Sequence, residues 1–141
     1  MPTLLTHIVV NANAIPRWEE IMRVLVRRTH GEEPSVIRYE YWRGAEAGRY
    51  YALLAYPTAG DFYAHQGSEY HDDYLDDFAT MFAEMRLEWV DPVQDGGSPL
   101  PPTEDDPLPA ETSTKIADQR ALYPILIAQW WAAARAVQTD R

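Results

Sequence analysis

Residues 62–71 read FYAHQGSEYH and carry two of the chain's four histidines, with a serine and a tyrosine between them. Histidine titrates near neutral pH, so it is the side chain best suited to take a proton and return it. His65 falls where a helical stretch is disturbed by Gly67, a place from which a side chain can be aimed inward. Ser68 reads as the N-cap of the resumed helix, which puts Tyr70 and His71 in its first turn. On this reading His65 is the candidate base and Tyr70 a candidate polar partner. The structural alternative is a half-buried His65 bonded to a backbone carbonyl freed at Gly67, with His71 merely solvated. Two histidines six residues apart do not share one helix face, so no metal site is expected. Asp72, Asp73, Asp76 and Asp77 read as a solvated face near the positive end of the helix.

Three further groups could serve the same chemistry, which would need donors for an anion and aromatic walls for a ring. His7 and Asn11 share a face of the first strand. Asn11 could donate to an oxyanion if that face looks toward the helices, or it could simply end the strand and shape the turn. Trp42 and Tyr51 could stack on a ring or fill core. Arg86 could hold a phenolate or pair with Glu40 or Glu88.

The elements that must position these residues follow from periodicity. LLTHIVVN (4–11) alternates as a strand, and a helix follows from Pro16 with Trp18, Ile21, Met22, Leu25 and Val26 on one face and Gly31 as its stop. VIRYEYWR (36–43) and RYYALLAY (49–56) form a hairpin across GAEAG. Thr58 with Asp61 starts a second helix, and Phe78, Met81 and Phe82 give its later buried face. MRLEWVD (85–91) closes the set, with Met85, Leu87 and Trp89 on one side. The order β-α-β-β-α-β over residues 1–92 is ferredoxin-like, an α+β fold. Both faces of its sheet carry large side chains, so a second copy packed sheet to sheet is expected. Residues 93–114 form a Pro-rich acidic linker. Residues 115–141 read as a C-terminal helix, breakable at Pro124, with Leu122, Leu126, Trp130, Ala133 and Val137 on one face. That helix should dock on the barrel, reach across the dimer or roof the pocket, with Trp130 and Trp131 buried.

Composition narrows the function classes. The net charge of −10 supplies no basic stripe for nucleic acid and no attraction to an anionic membrane. The absence of cysteine removes disulfides, thiolate metal sites and cysteine nucleophiles. The apolar run ALYPILIAQWWAAA is interrupted by Pro124 and Gln129 and is too short to span a bilayer, so a soluble cytoplasmic protein is expected.

The element order, the RYEYWRG strand and the DFYAHQGSEYHDDY segment together resemble the antibiotic biosynthesis monooxygenase family. The resemblance covers about the first 92 residues. The family's pattern falls on Tyr39, Glu40, Trp42, Phe62, His65, Ser68 and His71, with Tyr70 competing for the second-histidine place. It implies a dimeric α+β barrel acting as a cofactor-independent monooxygenase of the quinol or anthrone type. Molecular oxygen would be co-substrate, with no metal and no flavin. His65 would be the base, Asn11 and Tyr70 its polar partners, and Trp42, Tyr51, Phe62, His71 and Arg86 the groups around a small aromatic or polyketide-like substrate. The same pocket would suit a cyclase or isomerase, or a dimer that only binds a small aromatic ligand.

Overall fold

The alternating run Thr3–Val10 forms β1, the strand on which the rest of the sheet is assembled. In the computed structural model, which describes residues 1–93 and 96–139, it pairs antiparallel with β3 (Arg49–Ala55) and with β4 (Phe82–Trp89). The hairpin partner of β3, β2 (Arg38–Arg43), completes a four-stranded sheet in the order β2-β3-β1-β4. Gly48 allows the hairpin to close. Its φ is +86°, and a Cβ there would stand 2.7 Å from the Val10 carbonyl oxygen, so both backbone conformation and space require glycine. The last strand begins at Phe82 rather than near Met85. Phe82 pairs with Val10 across a bulge, and ladder pairing with β1 overrides the weak strand preference of Ala83 and Glu84.

Helix α1 (Ile15–Glu32) carries Pro in its first turn and buries Trp18, Ile21, Met22, Leu25 and Thr29. Gly31 does not stop it. The helix runs one residue further, and the Glu33 N–H closes on the Thr29 carbonyl at 2.9 Å, with Pro34 beyond. The second helical region is three pieces: α2 (Ala59–Gln66), α3 (Glu69–Asp72) and α4 (Leu75–Met81). The break at Gly67 and Ser68 falls where the sequence predicts it, while the one at Asp73 and Tyr74 is additional.

The helices cover one sheet face, where Leu4, Ile8, Tyr39, Tyr50 and Leu54 pack under Trp18, Leu25, Phe62 and Tyr63. Trp18 is the hub, edge-on to Tyr41, Tyr50, Phe78 and Phe82 at centroid distances of 5.1–6.3 Å. The opposite face carries Leu5, His7, Val9, Tyr51 and Leu53 with Trp42, which is 60% exposed.

The chain beyond β4 returns to the same domain. Asp106 accepts from the Ala59 N–H at the start of α2 (2.9 Å), and Thr103 is fully buried against Asp91 and Val90. Helix α5 (Thr114–Leu122), capped by Ser113, lies against α2. Helix α6 (Gln129–Thr139) follows a non-helical segment that contains Pro124. Ile125 from that segment enters the main core. Trp131 is buried but Trp130 is exposed, because adjacent residues on a helix point about 100° apart and only one can face the barrel. Gln94, Asp95, Asp140, Arg141 and the Val137 side chain lie outside the described residues. Among the described residues no helix is long and apolar enough to cross a membrane.

Docking of this segment makes a contrast between neighbours. Ile125 is 5% exposed and Leu126 66%. Ile125→Ala is expected to lower the unfolding free energy by about 2–4 kcal/mol, and Leu126→Ala by under about 0.5 kcal/mol, in urea titrations. Equal effects would show that the segment does not dock as described.

Candidate functional site

Thr58 fixes where α2 begins. Its hydroxyl oxygen accepts the Asp61 N–H at 3.1 Å, and the hydroxyl donates to the Asp61 carboxylate at 2.7 Å, a reciprocal cap. Two turns later this start places His65 inward, at 1% exposure. Its Nδ1–H donates to both oxygens of Glu33, at 3.0 and 3.1 Å. Glu33 sits just past the end of α1, and the Tyr56 hydroxyl donates to it at 2.9 Å. Tyr70 closes the cluster, its hydroxyl 3.4 Å from His65 Nδ1 and 3.0 Å from the Thr29 hydroxyl. Burial works to raise the Glu33 carboxyl. The His65 hydrogen bond and charge, with the Tyr56 and Tyr70 hydroxyls, outweigh it and hold the group below the usual carboxylate range.

The His65 ring forms part of the wall of a cavity of about 440 Å³ between the sheet and the helices. That is within the size range of small-molecule sites, about 300–1,000 Å³. Its floor is apolar: Leu4, Ile8, Ala52 and Leu54. Tyr39 meets His65 edge-on at 4.8 Å and exchanges a hydrogen bond with Tyr41 at 3.0 Å. Burial raises both phenols, Tyr41 to about 12 and Tyr39 well above its ordinary value, so both stay protonated donors at neutral pH. Trp18 lines the same cavity, and its indole N–H is buried without a partner among the described residues. His71 also lines it, 5.6 Å from the His65 ring and 5.5 Å from Phe78. Burial first, then the charge of His65, pulls His71 down to about 4, while Asp72 and Glu33 oppose that.

The structure thus brings His65, Tyr70 and His71 together. It separates the others. Phe62 is buried behind the site against Tyr56 and Trp89. Asn11 caps the far end of β1, its amide donating to the Thr80 carbonyl at 3.1 Å. Trp42, Tyr51 and Arg86 lie on the sheet face turned away from the helices, because the face carrying His7 and Asn11 is the outer one. There His7 bonds Glu88 at 2.8 Å, Arg86 reaches the same carboxylate at 3.3 Å, and Tyr51 packs on the His7 ring. Glu33, Tyr56 and Tyr41 are site residues that the sequence did not single out, and Tyr39 entered only as a position of the family's pattern. The RYEY strand offered the last two as alternate positions on one face. Glu33 had no local signal beyond its place after the helix end.

A larger open concavity, about 930 Å³, lies outside between α1 and β2. Its arginines face solvent, with Arg23 and Arg43 paired to Glu19 and Arg38 to Glu40. Its histidine, His30, is exposed, unlike His65. Among the described residues no group of three His, Asp or Glu side chains is placed to hold a metal ion.

No protein-family model matches the sequence, and no curated protein matches it. Solved structures do. A protein provisionally named an antibiotic biosynthesis monooxygenase from Caulobacter crescentus is 20% identical with a TM-score of 0.61, over 66% of this chain and 90% of that one. A crystal structure named antibiotic biosynthesis monooxygenase gives 17% identity and a TM-score of 0.60, over 66% and 99%. One from Nitrosomonas europaea, again provisionally named, gives 21% and 0.56, over 63% and 85%. The fold of this chain is the fold of those proteins. About a third of the chain, close to the length of the linker and tail, has no counterpart in them.

The depressed His71 sets a pH dependence. Between about 4 and 6.5 the unfolded chain binds a proton that the folded chain does not, so this contribution is intact above pH 6.5 and is lost as pH falls toward 4. The full effect is on the order of 3 kcal/mol. His71→Phe keeps a ring and removes the titration. Urea unfolding at pH 7 and pH 4.5 is expected to show the parent losing about 2 kcal/mol more than the variant over that interval. Parallel profiles would refute the burial of a neutral His71.

Proposed function

We propose that the chain is a member of the antibiotic biosynthesis monooxygenase family and a cofactor-independent oxygenase of a small electron-rich aromatic, with His65 as its base. One observation carries the reading: a buried histidine, oriented by a carboxylate, in the wall of an apolar aromatic cavity. With Nδ1–H given to Glu33, the lone pair of the ring lies on Nε2, which makes no hydrogen bond to any described residue. Glu33 also stabilises the imidazolium that forms when Nε2 takes a proton, as an orienting carboxylate does in other base–carboxylate pairs. One hydroxyl proton of the Tyr39–Tyr41 pair is spent on the bond between them, and the other is a donor for the substrate oxygen as negative charge grows on it.

The chemistry balances without an added reductant. A hydroquinone or anthrone loses a proton to His65, and its anion passes one electron to dioxygen. The radical pair joins as a C–O bond, and the hydroperoxide loses water to leave a carbonyl. The substrate gives up two hydrogens, one oxygen atom enters the product, and the other leaves as water. The apolar floor keeps bulk water from competing for the anion.

Oxygen uptake by the metal-stripped protein with anthrone or naphthohydroquinone, corrected for autoxidation, tests this. His65→Ala is expected to lower the rate at least about 100-fold and Glu33→Gln about 10-fold. Uptake indifferent to His65 would overturn the assignment. No uptake by a protein that still binds these aromatics would leave a cyclase, isomerase or binding protein.

We also propose that a second copy covers the outer sheet face. Leu5, Val9 and Leu53 there would otherwise border on water beside Trp42 and Tyr51. Sedimentation is expected to give a dimer, and Tyr51→Glu with Leu53→Glu to give monomer. A monomeric parent would refute it.

A further inference from the structure

Three large side chains of the cavity lining reach solvent: Leu75 of α4 at 54%, Met85 of β4 at 45%, and Tyr123 at 37%. They mark the rim, with buried His65 at depth. Tyr123 differs from the other two in origin. It comes from the segment between α5 and α6, beyond the last strand of the sheet.

The backbone of that segment is held firmly. The Tyr63 hydroxyl donates to the Tyr123 carbonyl at 2.7 Å, and the Trp89 indole N–H donates to the Pro124 carbonyl at 2.9 Å. The Tyr123 N–H closes on Gln119 at 2.9 Å, and Ile125 is anchored in the core. Farther on, Arg135 pairs with Asp91 and donates to the Thr103 carbonyl at 3.0 Å. All of the hydrogen bonds at residues 123 and 124 run through backbone atoms. The Tyr123 ring makes no ring–ring contact with another described aromatic, and part of it faces solvent. It is a flat aromatic surface at a fixed place on the rim, free to meet a ligand.

We propose that Tyr123 is a specificity-determining residue of this site, and that its ring packs on the outer ring of a fused-ring aromatic whose inner ring lies at His65 and Tyr39. The inference rests on the reading of the cavity as an aromatic-substrate site. A single-ring compound is satisfied by the inner part of the cavity and leaves Tyr123 untouched. A fused-ring compound reaches the rim and gains an aromatic contact there. The C-terminal extension thereby makes this chain select for length.

Binding separates the possibilities. Phenol and naphthol are titrated into the full-length protein by calorimetry, with Tyr123→Ala, Tyr123→Phe and His65→Ala beside the parent. The expected result is that Tyr123→Ala weakens naphthol about tenfold and leaves phenol within about twofold. Tyr123→Phe keeps both affinities. A change shared equally by both probes would mean general damage to the pocket and would overturn the proposal. An unchanged ratio with both probes bound would overturn it as well, while leaving the aromatic-site reading intact. If neither probe binds the parent, that reading falls and this inference with it.

Discussion

The hydrogen bonds from His65 to Glu33 constrain more of this molecule than any other polar contact. A carboxylate taken out of water costs several kcal/mol unless it is paired, and so does a histidine whose ring nitrogens lack partners. Here each group is the other's compensation, and Tyr56 and Tyr70 supply the remaining hydroxyls. The pair also links elements that are distant in sequence. Glu33 is fixed by the end of α1, Tyr56 by the end of β3, and His65 by the last turn of α2. Ending α1 a residue earlier would move the carboxylate away. His65 would then be buried without the carboxylate that orients it. The site and the helix ends therefore specify each other.

The same pair sorts the roles of two neighbouring histidines. His65 has a carboxylate at Nδ1 and is directed. His71, 5.6 Å away by ring centroid, has no such bond, and burial beside His65 pulls it down to about 4. Two adjacent imidazoles in one apolar cavity resist carrying charge together. A charge on His65 therefore keeps its neighbour neutral, which leaves His71 as part of the cavity wall. Around them, Tyr39 and Tyr41 are held protonated by burial and bonded to each other, which leaves one hydroxyl proton of the pair for a further acceptor.

What was legible in the sequence follows from which physics is local. Periodicity and capping are local, so the β-α-β-β-α-β order, the Thr58 start of α2 and the break at Gly67 all read correctly. His65 was legible as an inward histidine for the same reason. Its partner was not, because 32 residues separate Glu33 from His65 and no spacing rule connects them. A period of two likewise states which strand residues share a face and is silent on which face meets the helices. Trp42 and Tyr51, named together from the sequence, are ladder partners on one face, and Tyr51 also stands opposite His7. Whether that group lined the cavity or the outside depended on where α1 and α2 settle.

Burial decides that question. On β1 one face offers Leu4, Thr6, Ile8 and Val10, and the other Leu5, His7 and Val9. Only the first is free of a titratable group, and the helices cover it. Across the sheet the charged residues Arg49, Glu84, Arg86 and Glu88 fall on the same side as His7, where they pair with one another in reach of water. Covering that side with α1 would have desolvated these charges, those of Arg38 and Glu40, and a histidine together. Covering the other side desolvates Thr6 and a layer of aromatics, with the Tyr39 and Tyr41 hydroxyls bonded to each other and the exposed Arg43 paired to Glu19. The helices therefore take the face with fewer charges, and His65, the more deeply buried of the two histidines there, finds its carboxylate partner at the end of α1.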